Sequence, residues 1–295
     1  MADNYTHQYN AVNAMKIAGY TPRNYNAFII GANGPDPLFC YQMYNPFRRH
    51  HLSKLGTLMH NRKTGRFLQN LFRLAQTDAQ KDYCLGFLCH YALDCTIHPY
   101  VNYASQTYGS PYNIPSGHGF FESALDSRIS LKTDGTTVPS VKKFFPDTEK
   151  LYMDQIISLL KKAVDATYPD HIYSRGEYAQ AFRDFRLLKN LFCSPTKVMF
   201  PVMHLAEKIL KFSEGFILSH MQPCTREIPE YPFWQNSSAG LYSVETLDEI
   251  LLRADYLAAE NIKNGLEYFK GIYTAADLLE KIGNKSYETG MAIEK

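Results

Sequence analysis

The sequence predicts an all-α fold, and three observations support this prediction. Apolar residues recur at helical spacing in the second half of the chain, along Ile156–Val164 and along Leu247–Leu266. The alternating apolar and polar runs that are typical of strands are scarce. No Asn-Gly turn joins two β-type segments. We therefore expect one all-α domain over residues 1–295.

The helical segments follow one another along the chain, and each ends near a proline, a glycine or a polar loop. The fourth helix is expected to begin near Asp147 or Thr148, and the last has Ser243 as its N-cap candidate. Residues 101–117 and 221–240 are expected to be long loops. The expected helices are 10–20, 65–76, 79–97, 147–168, 178–191, 196–212 and 243–269.

Charge and composition argue against several classes of protein. The 31 Lys and Arg residues against 29 Asp and Glu give a net charge of +2, so nucleic acid is not indicated as the main partner. No apolar segment is long enough for a transmembrane span. The start of the chain lacks the features of a signal peptide, and the 6 cysteines form no CxxC pair. We expect a cytoplasmic protein with reduced thiols.

A polar face interrupts an otherwise apolar helix at DYCLGFLCHYALDCTIHP, residues 82–99. His90, Asp94 and His98 are spaced four apart, so they share one face of this helix. His98 precedes Pro99 and is therefore expected at the fraying end of the helix. A carboxylate and two imidazoles in an apolar setting must be paired, protonated or bound to a metal.

A second histidine and acid pair follows at His118 and Glu122, with Gly117 and Gly119 allowing a close backbone approach. A single pair of this kind carries no information, because ten histidines give about one by chance. The clustering is informative, and it predicts a metal site. The cluster comprises His60, His90, Asp94, His98, His118 and Glu122.

Four stretches of the first half resemble the bacterial zinc-dependent phospholipase C family, which is related to the S1/P1-type nucleases. They are GANGPDPLF (31–39), LMHN (58–61), GFLCHYALDCTIHP (86–99) and GHGFFESALDSRI (117–129). The resemblance covers about residues 5–130 and implies a compact multi-helix domain that holds a cluster of three metals. The metal-ligand motifs would lie within 1–130, and 147–295 would be a helical scaffold.

The resemblance also implies the residues that hold each ion. Asp36, in the GPD turn, would lie beside the metals as a ligand or as the base that activates water. In the secreted relatives an N-terminal tryptophan completes the third site. Here Met1 is first and Trp234 is the single tryptophan, so an altered, weaker or absent third site is expected. The implied ligand groups are His60 with His90 and Asp94, His98 with His118 and Glu122, and His7 with Asp94.

These ligand types define the expected chemistry. Nitrogen and oxygen ligands without thiolate suit Zn²⁺, and also Mn²⁺ or Fe²⁺. Two or three such cations would bind the oxygens of a phosphate ester and lower the pKa of water to about 7. The sequence therefore predicts a metal-dependent phosphoesterase of phospholipase C type, acting on a small phosphate ester or a phospholipid. A nuclease or phosphomonoesterase on the same scaffold, or a non-catalytic metal-binding protein, are the alternatives.

Other enzyme classes lack their motifs in this sequence. No His is directly followed by Asp, no Glu lies three residues before a His, and HExxH does not occur. The P-loop, GxGxxG and GxSxG motifs do not occur either. These observations argue against HD-type phosphohydrolases, di-iron bundles, zincin proteases, nucleotide-binding folds and serine hydrolases.

Overall fold

The computed structural model describes residues 4–45, 47–194 and 198–293. It confirms the all-α prediction, since strands are limited to one short antiparallel hairpin in this part of the chain. A 3₁₀ helix, Asp36–Cys40, follows the predicted turn at 33–36. The helices are α1 Asn4–Ala18, α2 Tyr25–Gly31, α3 Leu52–Asn61, α4 Thr64–Leu74, α5 Asp78–Gln106, α6 Gly117–Asp134, α7 Val141–Phe144, α8 Lys150–Thr167, α9 Arg175–Phe192, α10 Met199–Leu210, α11 Leu247–Phe269 and α12 Ala275–Ile282, and the strands are β1 Trp234–Asn236 and β2 Leu241–Ser243.

Helix α5 is the central element of the fold. It begins at a capping box. The Thr77 side chain accepts from the backbone N–H of Gln80, and the Gln80 side-chain oxygen accepts from the backbone N–H of Thr77. From Tyr83 to Val101 every side chain is buried, as expected for a helix that is apolar on all sides. Neighbours of α5 include α1, α2, α4, α6, α8 and α11. The polar residues of α5 are therefore enclosed by protein.

Helix α5 is longer than the sequence predicts. It continues through Pro99 to Gln106, so His98 lies within the helix and the prediction that it sits at a fraying end is wrong. The first part of the expected loop 101–117 is helical for the same reason. Proline removes one backbone hydrogen bond, but the buried side chains of Tyr100, Val101 and Ala104 provide apolar contacts that outweigh this loss.

Three further differences concern capping and short elements. Thr246, not Ser243, caps α11 through a capping box with Glu249, because Ser243 pairs with Trp234 in the hairpin. That hairpin begins inside the expected loop 221–240. The predicted helix 196–212 corresponds to α10, and its expected start at Thr196 lies outside the described residues. Helices α2, α3, α7 and α12 had no counterpart among the expected helices.

Elements of the two halves of the chain pack together. Helix α11 packs on α5 and α1, and the Asn10 and Asn13 amides donate to the Asp255 carboxylate at 2.7 and 2.8 Å. The single-domain organisation stays a prediction. None of the described helices has both the length and the apolar character needed to cross a bilayer. Within the described ranges, Cys40, Cys84, Cys89 and Cys95 are buried free thiols.

Two glycines bring the backbones of α2 and α5 into close approach. A Cβ atom at Gly31 would lie 2.2 Å from the Tyr83 carbonyl oxygen. At Gly86 it would lie 1.9 Å from the Phe28 carbonyl oxygen. Since real contacts of this kind are never so short, only glycine fits at either position. This crossing fixes the start of the loop at 32–35 against the middle of α5.

We expect Gly86→Ala to lower the free energy of unfolding by about 2–3 kcal/mol, because the added methyl group must push α2 away from α5. Gly176→Ala in α9 is the matched control, since its methyl group would meet nothing closer than the Ser174 hydroxyl at 3.8 Å. The control should be neutral or stabilising by up to about 1 kcal/mol. Urea unfolding curves measure both variants, and equal effects would contradict the proposed steric cause.

Candidate metal centre

The eight side chains proposed as ligands from the sequence converge on one buried region. Helix α5 supplies three of them, α6 two, and α1, α3 and the 3₁₀ helix one each. Within the described chain they form three groups whose ligand atoms lie within 4.8 Å of one another. The groups are His7 with Asp36 and His90, His60 with His90 and Asp94, and His98 with His118 and Glu122.

The Asp94 carboxylate lies at the centre of this region. Its Oδ2 atom is 3.0 Å from His90 Nε2 and 3.6 Å from His60 Nε2. Its Oδ1 atom is 3.3 Å from His7 Nε2 and 3.4 Å from His98 Nε2. One carboxylate therefore faces imidazoles from α1, α3 and two turns of α5. It connects the groups that the resemblance assigns to different ions.

The third group lies at the junction of α5 and α6. The Oε1 atom of Glu122 is 2.9 Å from His118 Nε2 and 3.3 Å from His98 Nε2. The four-residue spacing of His118 and Glu122 places both on the inner face of α6, as the sequence predicts. The spacing of Asp94 and His98 within a continuous helix places His98 between Asp94 and Glu122. The four-residue spacing between Asp94 and His98 is therefore compatible with a place for His98 in the group of His118 and Glu122.

Asp36 and His7 complete the centre on the side of the N-terminal helix. Asp36 Oδ1 is 3.5 Å from His60 Nε2 and 4.0 Å from His90 Nε2. The Asn4 side-chain amide lies 3.5 Å from Asp36 Oδ2. The His7 and His90 rings stack with their centroids 4.2 Å apart. Asp36 Oδ1 thus faces the same two imidazole nitrogens as Asp94 Oδ2, and from there it can act as a ligand or as a base.

The histidine tautomers show that these groups fit divalent ions. The Nδ1 atoms of His60, His90 and His98 lie 2.8, 3.3 and 3.1 Å from the carbonyl oxygens of Gly56, Ala32 and Tyr287. A carbonyl oxygen only accepts, so each Nδ1 carries a proton, and a ring that is neutral then directs its Nε2 lone pair toward the carboxylates. The Nε2 lone pair of such a ring and the carboxylate oxygen opposite it are both acceptors, and a cation between them satisfies both.

The distances agree with ions shared between nitrogen and oxygen ligands. Zinc bonds of about 2.0–2.2 Å in tetrahedral geometry separate two ligand atoms by about 3.3–3.5 Å. The nitrogen–oxygen distances of 3.0–3.6 Å around Asp94 bracket this value. Within the described chain, neither oxygen of Asp94 and neither His90 Nε2 nor His98 Nε2 has a hydrogen-bond partner. Buried polar atoms without partners are costly unless an ion binds them.

The electrostatics of the centre are those of closely coupled charges. Burial raises the pKa of the Asp94 carboxyl, but His90, His98 and His7 outweigh burial and hold that pKa well below its usual range. The pKa of Asp36 is lowered in the same way, where His90 and His60 outweigh burial. Burial lowers the pKa of His98, yet Asp94 and Glu122 raise it to about 10. Without a cation, protons on imidazoles must balance the carboxylates.

Three residues that the sequence did not single out shape the site. Gly34, at φ +51°, lies against the His90 ring, where a Cβ atom would be 2.2 Å from the ring. The Asn102 side-chain oxygen accepts from His118 Nδ1 at 3.1 Å. Tyr287 donates its backbone N–H to the His60 carbonyl oxygen at 2.8 Å and packs its ring on His60 and His90. Only Gly34 belonged to a recognisable motif.

The glycines that flank His118 allow the close backbone approach that the sequence predicts. A Cβ atom at Gly117 would lie 1.7 Å from the Tyr112 carbonyl oxygen. At Gly119 it would lie 2.8 Å from the Ser219 hydroxyl and 3.2 Å from the His220 ring. These contacts fix the first turn of α6 between two loops. They therefore hold His118 at its position in the third group.

The centre opens to solvent at one edge, beside His118. The His118 side chain is 27% exposed, whereas the side chains of the other seven residues are at most 5% exposed. Among the proposed ligands, His118 is therefore the one that a molecule from solvent reaches first.

The helical fold and its clustered His, Asp and Glu side chains define a protein built to hold several divalent ions. The family model described as zinc dependent phospholipase C matches residues 6–169, which is more than half of the chain. The chain belongs to this family and is a zinc-dependent hydrolase. The match extends past the residues 5–130 of the sequence resemblance. No curated protein and no solved structure gives a significant match.

The comparison confirms the predicted family, fold class, enzyme class and zinc dependence. The assignment of individual side chains to particular ions stays a prediction, and so does the catalytic role of Asp36. The structure supports the ligand assignment by the proximity, burial and tautomers described above. Cys89 and Cys95, which flank His90 and Asp94 on α5, are buried thiols and belong to none of the three described groups.

We expect Asn102→Leu to weaken the binding of one zinc ion by about 10- to 100-fold, because His118 loses the acceptor that fixes its tautomer and orientation. Asn102→Asp keeps an acceptor at this position and is the control. Elemental analysis and competition with a zinc chelator measure the number and affinity of bound ions. Unchanged affinity in Asn102→Leu would show that His118 needs no orienting partner.

Proposed function

We propose that this protein hydrolyses the phosphodiester bond on the glycerol side of a phospholipid headgroup. The observation that carries the proposal is the buried Asp94 carboxylate, which connects neighbouring His and carboxylate groups around one centre. Family membership supplies the reaction class. The water oxygen forms the new bond to phosphorus, the bond from phosphorus to the glycerol oxygen breaks, and that oxygen takes up a proton.

The residues would divide the work of this reaction by position. His60, His90, Asp94, His98, His118 and Glu122 would hold zinc with His7 and Asp36. Bound zinc acts as a Lewis acid on phosphate oxygens and makes hydroxide available near neutral pH. The protein keeps the ligands in a rigid, water-poor interior, so little reorganisation is needed when charge develops on the phosphate. The exposed edge at His118 admits the phosphate group.

Asp36 is the residue best placed to take the proton of the attacking water. Its Oδ1 atom faces His60 and His90 and has no hydrogen-bond partner within the described chain. The 3₁₀ helix that carries it is fixed by packing against α3 and α9. Its carboxylate is therefore oriented before substrate binds. A proton accepted at Oδ1 would be passed to the leaving glycerol oxygen or to solvent.

The same ion-binding chemistry would serve a nuclease or a phosphomonoesterase, so the substrate class is a proposal. The net charge of +2 gives no electrostatic preference for nucleic acid. The family is named for phospholipid hydrolysis, and this favours phospholipid. We further propose that the protein resides in the cytoplasm, and the buried free thiols of Cys40, Cys84, Cys89 and Cys95 support a reducing compartment. Cell fractionation tests the location.

We expect zinc-loaded protein to hydrolyse phosphatidylcholine faster than single-stranded DNA or p-nitrophenyl phosphate, when initial rates are compared at equal enzyme. Chelation should abolish the activity and lower the melting temperature, because it leaves buried carboxylates without cations. Readdition of zinc should restore both. A metal-containing protein that hydrolyses none of these substrates would favour the non-catalytic alternative, and preference for DNA would favour the nuclease.

We expect Asp36→Asn to keep its zinc but to lose activity by about 10²- to 10⁴-fold, because the amide retains one oxygen ligand and cannot accept a proton. Elemental analysis and kcat for phosphatidylcholine provide the two readouts. Asp255→Asn is the control, because this carboxylate lies between α1 and α11 and bonds to Asn10 and Asn13. Loss of an ion from Asp36→Asn would instead identify Asp36 as an essential ligand.

A further inference from the structure

Helix α10 is apolar on nearly all sides, yet the protein covers only one of them. Its sequence, MFPVMHLAEKIL, contains two charged residues, Glu207 and Lys208. Phe200 and Met203 pack on the core, and the Glu207 side chain is buried. Most of the remaining apolar side chains point into solvent. Val202, Leu205 and Ile209 are 49, 57 and 69% exposed, Leu210 is 44% exposed, and Val198, the N-cap before the helix, is 70% exposed.

Four of these exposed residues form one continuous stripe, because their spacing of four, three and four positions follows one face of a helix. We call Val198, Val202, Leu205 and Ile209 the outer stripe of α10. Single exposed apolar residues are ordinary on protein surfaces, whereas contiguous stripes mark binding surfaces. Among the described residues no element covers this stripe. Its exposure therefore calls for an external occupant.

The exposed charged side chains of α10 and its C-cap, Lys208 and Lys211, are both positive. The Glu207 carboxylate turns inward and accepts the backbone N–H groups of Gly215, Ile217 and Leu218. This removes the acid of α10 from the surface. Lys208 and Lys211 are exposed at the C-terminal end of the helix. An apolar stripe beside lysines is the pattern of helices that lie in a lipid interface.

The segment after α10 connects the outer stripe to the open edge of the metal centre. The Ser116 hydroxyl donates to the Glu214 carbonyl oxygen at 3.0 Å. Gly215 packs on the Phe120 ring, which a Cβ atom at Gly215 would approach to 2.9 Å. Ser116 and Phe120 each lie two residues from His118. The end of α10 is therefore fixed beside the exposed histidine.

The space between α10 and α6 is open. A cavity of about 370 Å³ lies there, with Phe200 of α10 on one side and Phe120 of α6 on the other. The Arg226 guanidinium lies 4.5 Å from the centre of the Phe120 ring, which places a cation at the same cavity. Apolar walls with one cation suit a molecule that has both an acyl and a phosphate part.

We propose that the outer stripe of α10 docks on the surface of a phospholipid bilayer and holds the edge at His118 toward the headgroups. This inference rests on the proposed function, since a bilayer is where its substrate is found. The apolar side chains would enter the interface, and the lysines would contact phosphate groups. A protein partner on the same stripe is the competing occupant.

The test compares Leu205→Glu/Ile209→Glu with Leu151→Glu. Leu151 is 60% exposed at the start of α8, which packs on α4, α5 and α9. Sedimentation with vesicles of phosphatidylcholine and a minor share of phosphatidylserine measures binding, in an Asp36→Asn background that preserves the vesicles. Turnover is measured on these vesicles and on a short-chain phosphatidylcholine below its micellar concentration. Leu205→Ser/Ile209→Ser replaces the double variant if glutamate prevents folding.

We expect the α10 variant to lose about tenfold or more in vesicle binding and vesicle turnover, with little change on the dispersed substrate. The Leu151 control should behave like the unmodified protein in both. Equal vesicle binding by all proteins would overturn the docking surface. A dimer that dissociates in the α10 variant, with vesicle binding intact, would assign the stripe to a protein contact. If no substrate is hydrolysed but vesicle binding still depends on α10, the proposed activity fails and the docking surface stands.

Discussion

The carboxylate of Asp94, buried among histidines from three helices, is the constraint on which the structure depends. A buried charge costs several kcal/mol unless cations or donors satisfy it. In this protein α1, α3 and α5 must each present an imidazole at 3.0–3.6 Å from its oxygens. The close α2–α5 crossing and the burial of α5 on all sides serve this requirement, because both fix the helix that carries Asp94.

Backbone carbonyl groups orient three of the proposed histidine ligands. Carbonyl oxygens of Gly56, Ala32 and Tyr287 accept from Nδ1 of His60, His90 and His98, and so leave Nε2 of each ring to face the carboxylates. Tyr287 belongs to the C-terminal segment, which returns to pack on the ligands of α3 and α5. The second half of the chain is thus part of the metal centre, although it supplies none of the proposed ligands.

The sequence predicted what depends on local periodicity. The spacing of four between His90 and Asp94, and between His118 and Glu122, was enough to place each pair on one helical face, and α8, α9 and α11 followed from their apolar stripes. The continuation of α5 beyond Pro99 depends on tertiary burial of Tyr100 and Val101, which no local rule contains. Asn102 and Tyr287 reach the histidines only through the fold, so nothing in their neighbourhood indicated them.

The selectivity of such a centre must come from its rim. Ions held around Asp94 would bind the phosphate of a lipid, a nucleotide or a monoester alike, because all three present the same phosphate oxygens. Substrates differ in what is attached to the phosphate, and that part would meet the protein at the proposed entrance beside His118. Phe120, two residues from His118, lines the neighbouring cavity together with Arg226 and with Phe200 of α10. Exchange of these residues should therefore alter the choice of substrate while the ions and their ligands remain unchanged.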